Sequence, residues 1–108
     1  MKKSDTVTRG SGNVFADLGF PDAEEHQTKA GLVSQIADII EDRGMTQAVA
    51  ARLLGIDQPK VSAMLNGHFR GFSVYRLMKF IAALGRNVEI ITRKARHQEE
   101  AGGHIVVL

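Results

Sequence analysis

Cysteine and tryptophan are absent from the 108 residues of this chain, and proline occurs only twice. Without cysteine, a disulfide framework, a thiolate zinc site and a cysteine nucleophile are all excluded. No apolar run exceeds a few residues, which excludes a transmembrane helix and a signal-peptide core behind Lys2 and Lys3. The expectation is therefore a soluble, cytosolic protein with no membrane association. Metal ligands are also sparse: of His26, His68, His97 and His104, none has a second ligand at helical metal-binding spacing. The nearest approach to a cluster is His97, Glu99, Glu100 and His104, within a polar stretch. Gly10-Ser11-Gly12 lacks the lysine and the preceding strand of a phosphate-cradling loop. Glu24 and Glu25 read as complements to a helix dipole rather than an acid–base pair. Neither a cofactor nor a metal is expected, and an enzyme is not.

What is present is a globular composition, 44% apolar and 24% charged, in a length that suits one domain at about 100–200 residues per domain. The charge is segregated. From Asn13 to Asp42 the acids Asp17, Asp22, Glu24, Glu25, Asp38, Glu41 and Asp42 face Lys29 alone. From Arg43 to Phe80 the bases Arg43, Arg52, Lys60, Arg70, Arg76 and Lys79 face Asp57 alone. Such asymmetry suggests that one part meets a polyanion.

Residues 1–12 are too polar to offset their ordering entropy and read as a disordered tail. Residues 13–85 form the folded domain, beginning with a short apolar cluster of Val14, Phe15, Leu18 and Phe20. Asp22 with Glu25 gives a capping-box-like start to a helix from Ala23 to about Arg43, stopped by Gly44. Leu32, Val33, Ile36, Ala37, Ile39 and Ile40 give it one apolar face. Gly31 weakens its middle by about 1 kcal/mol, which leaves room for a break near Lys29–Leu32. Thr46 caps a second segment that closes at Gly55. Asp57 caps a third, with Pro59 in the first turn, ending at Asn66-Gly67. Ser73 opens a fourth that ends at Gly85, with Val74, Leu77, Met78, Ile81 and Leu84 on one side. Residues 86–108 form an extension in which Val88–Thr92 and Ile105–Leu108 suit strands, paired as a hairpin or against a second chain. The predicted fold is all-α, four to five helices with a short C-terminal β-strand or hairpin.

Gln47 to Asn66 is the informative stretch. Two short capped helices joined by Gly55, Ile56 and Asp57 must cross steeply, with the small Ala51 at the crossing and Ala50, Leu54, Ile56, Val61 and Met64 as the buried set. That is the arithmetic of a helix-turn-helix, whose second helix enters the DNA major groove. With Val61, Met64 and Leu65 inward, Gln58, Pro59, Lys60, Ser62 and Ala63 are left outward or near the N-terminal end. Gln reads adenine bidentately, Lys reaches guanine or phosphate, and Ser serves either. Pro59 and Ala63 offer small apolar contact. Gln47, in the first turn of the preceding helix, is placed for a phosphate. Asn66, Arg70 and His68 follow on a glycine-rich loop suited to gripping the backbone.

The segment Thr46–Gly67 resembles the lambda-repressor-like, Xre-type DNA-binding domain. Ser11-Gly12-Asn13-Val14-Phe15-Ala16-Asp17-Leu18-Gly19-Phe20-Pro21-Asp22-Ala23-Glu24-Glu25, followed by Thr46-Gln47 and Gly55-Ile56-Asp57-Gln58-Pro59-Lys60-Val61-Ser62, is similar more narrowly to HigA-type antitoxins. The likeness covers roughly residues 11 to 92. It implies a homodimeric repressor that binds operator DNA upstream of its own genes and neutralises a RelE-like toxin, with Gln58, Pro59, Lys60 and Ser62 at the bases and Gln47 on the backbone. Ala63 departs from related repressors, which often carry a larger polar side chain there. Two other readings are a stand-alone phage-type repressor without a toxin, and a protein-interaction module that has lost DNA binding.

Overall fold

The computed structural model describes residues 23–95 and 102–108. The N-terminal tail, the Val14–Phe20 cluster, Asp22 of the expected capping box, and His97, Glu99 and Glu100 lie outside the described residues.

Four helices are present among the described residues: α1 (Ala23–Asp42), α2 (Gln47–Leu54), α3 (Gln58–Leu65) and α4 (Val74–Ala83). Their boundaries follow from local chemistry. The Thr46 hydroxyl accepts the Val49 N–H at 3.1 Å, and the Ser73 hydroxyl accepts the Arg76 N–H at 3.0 Å, so α2 and α4 each begin on a side-chain cap. Asp57 takes the N-cap position of α3, but its side chain makes no cap hydrogen bond. Gly55 ends α2 at φ 72°, in the left-handed region, where the absence of a Cβ removes the steric penalty.

α1 packs mainly on α4, and α2 on α3. Ile36, Ile39, Met64, Leu77, Leu84 and Val61 are the largest fully buried side chains, drawn from α1, α3, α4 and the C-cap position of α4. Arg43, at the end of α1, donates through Nη1 to the Leu84 carbonyl at 2.6 Å, capping α4 from a distant part of the chain. Beyond Arg86, which pairs with Asp42 at 3.4 Å, the chain leaves the bundle.

Two features of the sequence, Gly31 and the C-terminal segments, are settled by contacts distant in the chain. α1 is continuous through Gly31. A Cβ there would lie 2.9 Å from Val107 Cβ, so the glycine admits the C-terminal segment rather than breaking the helix. The expected strands are also not formed among the described residues: 87–95 and 102–108 carry no strand assignment and make no backbone–backbone hydrogen bond there. β-branched side chains favour a pleated, half-buried surface, but a ladder also needs paired backbones; the two segments come close only where a Cβ on Gly103 would lie 3.8 Å from Ala95 Cβ. The tail docks on α1 instead. The Ile105 N–H donates to Glu24 Oε2 at 2.9 Å, Val107 packs on the core, and Gln35 Nε2 donates to the Leu108 carbonyl at 2.6 Å.

Candidate nucleic-acid interface

The turn between α2 and α3 is closed by main-chain bonds. Both the Gly55 and the Ile56 N–H reach the Ala51 carbonyl, at 2.8 and 3.1 Å, which fixes the direction in which α3 leaves. Ala50 and Ala51 are buried on α2, and Val61 and Met64 on α3, so α3 is anchored by one face. Pro59 stands in its first turn, where a missing N–H leaves nothing unpaired.

The opposite edge of α3 is open. Gln58, Pro59 and Lys60 are exposed, Ser62 and Ala63 are half-buried, and Leu65 is half-buried against the core. Gln47 is half-buried at the first position of α2. Asn66 and Arg70 are exposed on the segment after α3. In this unbound chain the Asn66 side-chain amide donates to the Ser62 carbonyl at 2.9 Å, tying the last turn of α3 to its own start of loop. Gln58 to Ala63 thus lie on one short helix, with Gln47 on its partner helix and Asn66 and Arg70 downstream.

Several cations of the basic third are engaged in contacts within the fold. Arg43 is spent on capping α4. Arg76 lies over the rings of Phe72 and Phe80, at 5.0 and 5.5 Å from their centroids, and Lys79 lies 5.6 Å from Tyr75. These are cation–π contacts within α4 and the loop before it. Lys60 remains the exposed cation in the first turn of α3.

Sequence reasoning missed how the loop between α3 and α4 is held. Phe69 and Phe72 are both buried, three residues apart, and the Phe72 N–H bonds the Phe69 carbonyl at 3.0 Å, which makes 69–72 a β-turn. His26 of α1 stacks on Phe69, with ring centroids 5.1 Å apart. Lys29 of α1 is only 8% exposed and donates to the Arg70 carbonyl at 3.2 Å. The signal for Lys29 was in the sequence: it precedes Leu32 and Val33 by three and four residues, placing it on the buried stripe of α1. Among the described residues there is no group of three or more potential metal ligands, and no helix is long and apolar enough to cross a membrane.

Comparison with known proteins agrees with this architecture. Residues 14–93 match the family described as a helix-turn-helix domain. A solved structure provisionally named as an XRE family transcriptional regulator is 46% identical, with a TM-score of 0.73, covering 82% of this chain and 98% of that one. No curated protein gives a significant match. A match spanning most of the chain, with shared sequence, shared fold and an anchored α2–α3 pair, identifies this protein as a member of the XRE-type family of helix-turn-helix, DNA-binding transcriptional regulators.

Proposed function

We propose that this chain is a sequence-specific repressor that binds operator DNA as a homodimer, autoregulates its own operon and is the antitoxin of a RelE-like toxin. The observation that carries the DNA half is the polarity of α3: Val61 and Met64 are fully buried, while Gln58, Pro59 and Lys60 face solvent on the other side. Gln58, Lys60 and Ser62 read base edges, Pro59 and Ala63 supply small apolar contact, and Gln47, Asn66 and Arg70 hold phosphates. The test is Gln58→Ala and Lys60→Ala, measured on operator and on random duplex at one salt concentration. Base readers lose about 1–3 kcal/mol on operator and less on random DNA. Equal losses on both would reduce them to phosphate contacts.

Support for a dimer lies in the C-terminal extension. Ile90 and Ile91 are 78% and 68% exposed on a segment without a backbone partner among the described residues. Pairing Val88–Ile91 with a second copy covers these side chains, with Ile105, Val106 and Leu108 adding apolar surface. A two-fold dimer then presents its α3 helices about 34 Å apart to a palindromic site. Sedimentation of the chain truncated after Gly85 tests this; a truncated chain that remains dimeric rules the extension out. The antitoxin half rests on the resemblance of residues 11–25 and 46–62. Co-purification with the product of the adjacent gene, and loss of that product's mRNA cleavage on mixing, tests it.

A further inference from the structure

We propose that Lys29 is a positioning residue for DNA binding: from inside α1 it fixes the peptide between Arg70 and Gly71 so that the Gly71 N–H faces outward toward a DNA phosphate. The inference rests on the reading of the α3–α4 loop as a backbone-gripping segment and adds how that loop is set.

Burial makes Lys29 unusual. Its side chain is 10% exposed, and its ammonium lies 3.1 Å from the Glu25 carboxylate and 3.2 Å from the Arg70 carbonyl. Taking an ammonium out of water is costly, and an apolar side chain of similar volume often serves a core as well or better. What an apolar side chain cannot do is donate to a distant carbonyl. The bond from Lys29 to Arg70 spans 41 positions in sequence, and it reaches a peptide that precedes a glycine, whose direction local sequence leaves open.

That peptide is the centre of the Phe69–Phe72 β-turn. The two outer residues are buried and joined by their own hydrogen bond, while Arg70 and Gly71 between them are exposed. Type I and type II turns differ by a flip of this central peptide, and type II needs a positive φ at the third residue. Gly71 allows either, since glycine takes both signs of φ. Here it is not among the positive-φ glycines, so the turn is not type II. In a trans peptide, as here, the carbonyl and the following N–H point in opposite directions. With the Arg70 carbonyl drawn inward to Lys29, the Gly71 N–H points outward. It has no hydrogen-bond partner among the described residues, and the space where its side chain would stand is open to at least 4 Å. A backbone N–H so presented is a donor for phosphate. The flipped turn presents a carbonyl there instead, which repels it.

The probe is a random-sequence duplex at low salt, because phosphate contacts act on any sequence. Lys29→Met is expected to weaken binding roughly three- to tenfold and to reduce the slope of log K against log salt by about 0.9, one phosphate contact. Gly71→Ala keeps the backbone N–H and suits the turn as it stands, since φ there is not positive and the space for a Cβ is open. Added to Lys29→Met, it restores binding and slope, because alanine resists the flipped turn. A role of Lys29 confined to holding the core predicts no such rescue. An unchanged slope in Lys29→Met, or no rescue in the double variant, overturns the proposal. Should Lys29→Met not fold, the wild-type amide spectrum decides: the Gly71 N–H moves downfield as duplex is added, and a stationary Gly71 peak overturns the proposal while other loop peaks still report DNA binding. A wild-type chain that ignores duplex altogether removes the DNA reading itself, and this inference with it.

Discussion

Replacing Gly31 with alanine isolates the contact between the C-terminal tail and α1. In an open helix interior this change stabilises by about 1 kcal/mol. Here the new Cβ would sit 2.9 Å from Val107 Cβ and 3.3 Å from both of its methyl carbons. The nearest of these atoms is a Cβ, tied to the main chain, so the tail backbone itself must move. That backbone is held by the bonds from Gln35 to the Leu108 carbonyl and from the Ile105 N–H to Glu24, and by the partial burial of Val107. Losing a half-buried valine costs about 1 kcal/mol, and each exposed hydrogen bond about 0.5–1.5 kcal/mol before the tail's regained entropy is counted. The tail loss, reduced by the regained entropy, at least offsets the helix gain, and Gly31→Ala in the wild-type chain is expected to leave stability unchanged or to lower it by about 1 kcal/mol. In a Val107→Gly background the obstruction is gone, and the same substitution stabilises by about 1 kcal/mol, a rise of about 4–8 °C in Tm for a domain of this size. The double-mutant cycle, read by urea unfolding, should give a coupling of about 1–2 kcal/mol. Equal stabilisation in both backgrounds means that the tail does not rest on Gly31, and refutes the reasoning.

The caps of the helix-turn-helix unit divide by their geometry. Thr46→Ala and Ser73→Ala each remove a made cap bond and should cost about 1 kcal/mol in urea unfolding, whereas Asp57→Ala, which removes none, should cost clearly less. Gly55→Ala meets no atom within 4 Å, so its expected cost of about 1–2 kcal/mol is backbone strain alone, seen as a lower unfolding midpoint with the denaturant slope unchanged. Arg43→Met loses the bond to the Leu84 carbonyl and should cost about 1 kcal/mol, against less than about 0.5 kcal/mol for the exposed Arg52→Met.

What was legible in the sequence was whatever is decided within a turn or two of chain. Thr46, Gly55, Pro59 and Ser73 act on neighbours no more than four residues away, and α2, α3 and α4 begin or end where those residues stand. The inward set of α3 was legible for the same reason, since helical spacing alone separates Val61 and Met64 from Gln58 and Lys60. Features decided by distant partners were not legible. Gly31 read as a weak point because helix propensity is local, while its reason, Val107, lies at the far end of the chain. Val88–Thr92 has the side chains of a strand, but pairing depends on a partner that local sequence does not name. Lys29 is the most instructive case. As a formal charge it softened an acidic segment; as a position it lies on the apolar stripe of α1, and the two readings conflict. A cation placed where burial is unavoidable needs acceptors brought to it, and here they are Glu25 and the Arg70 carbonyl. The conflict between charge and stripe position was thus the sequence's pointer to a long-range contact, from the first helix to the loop behind α3.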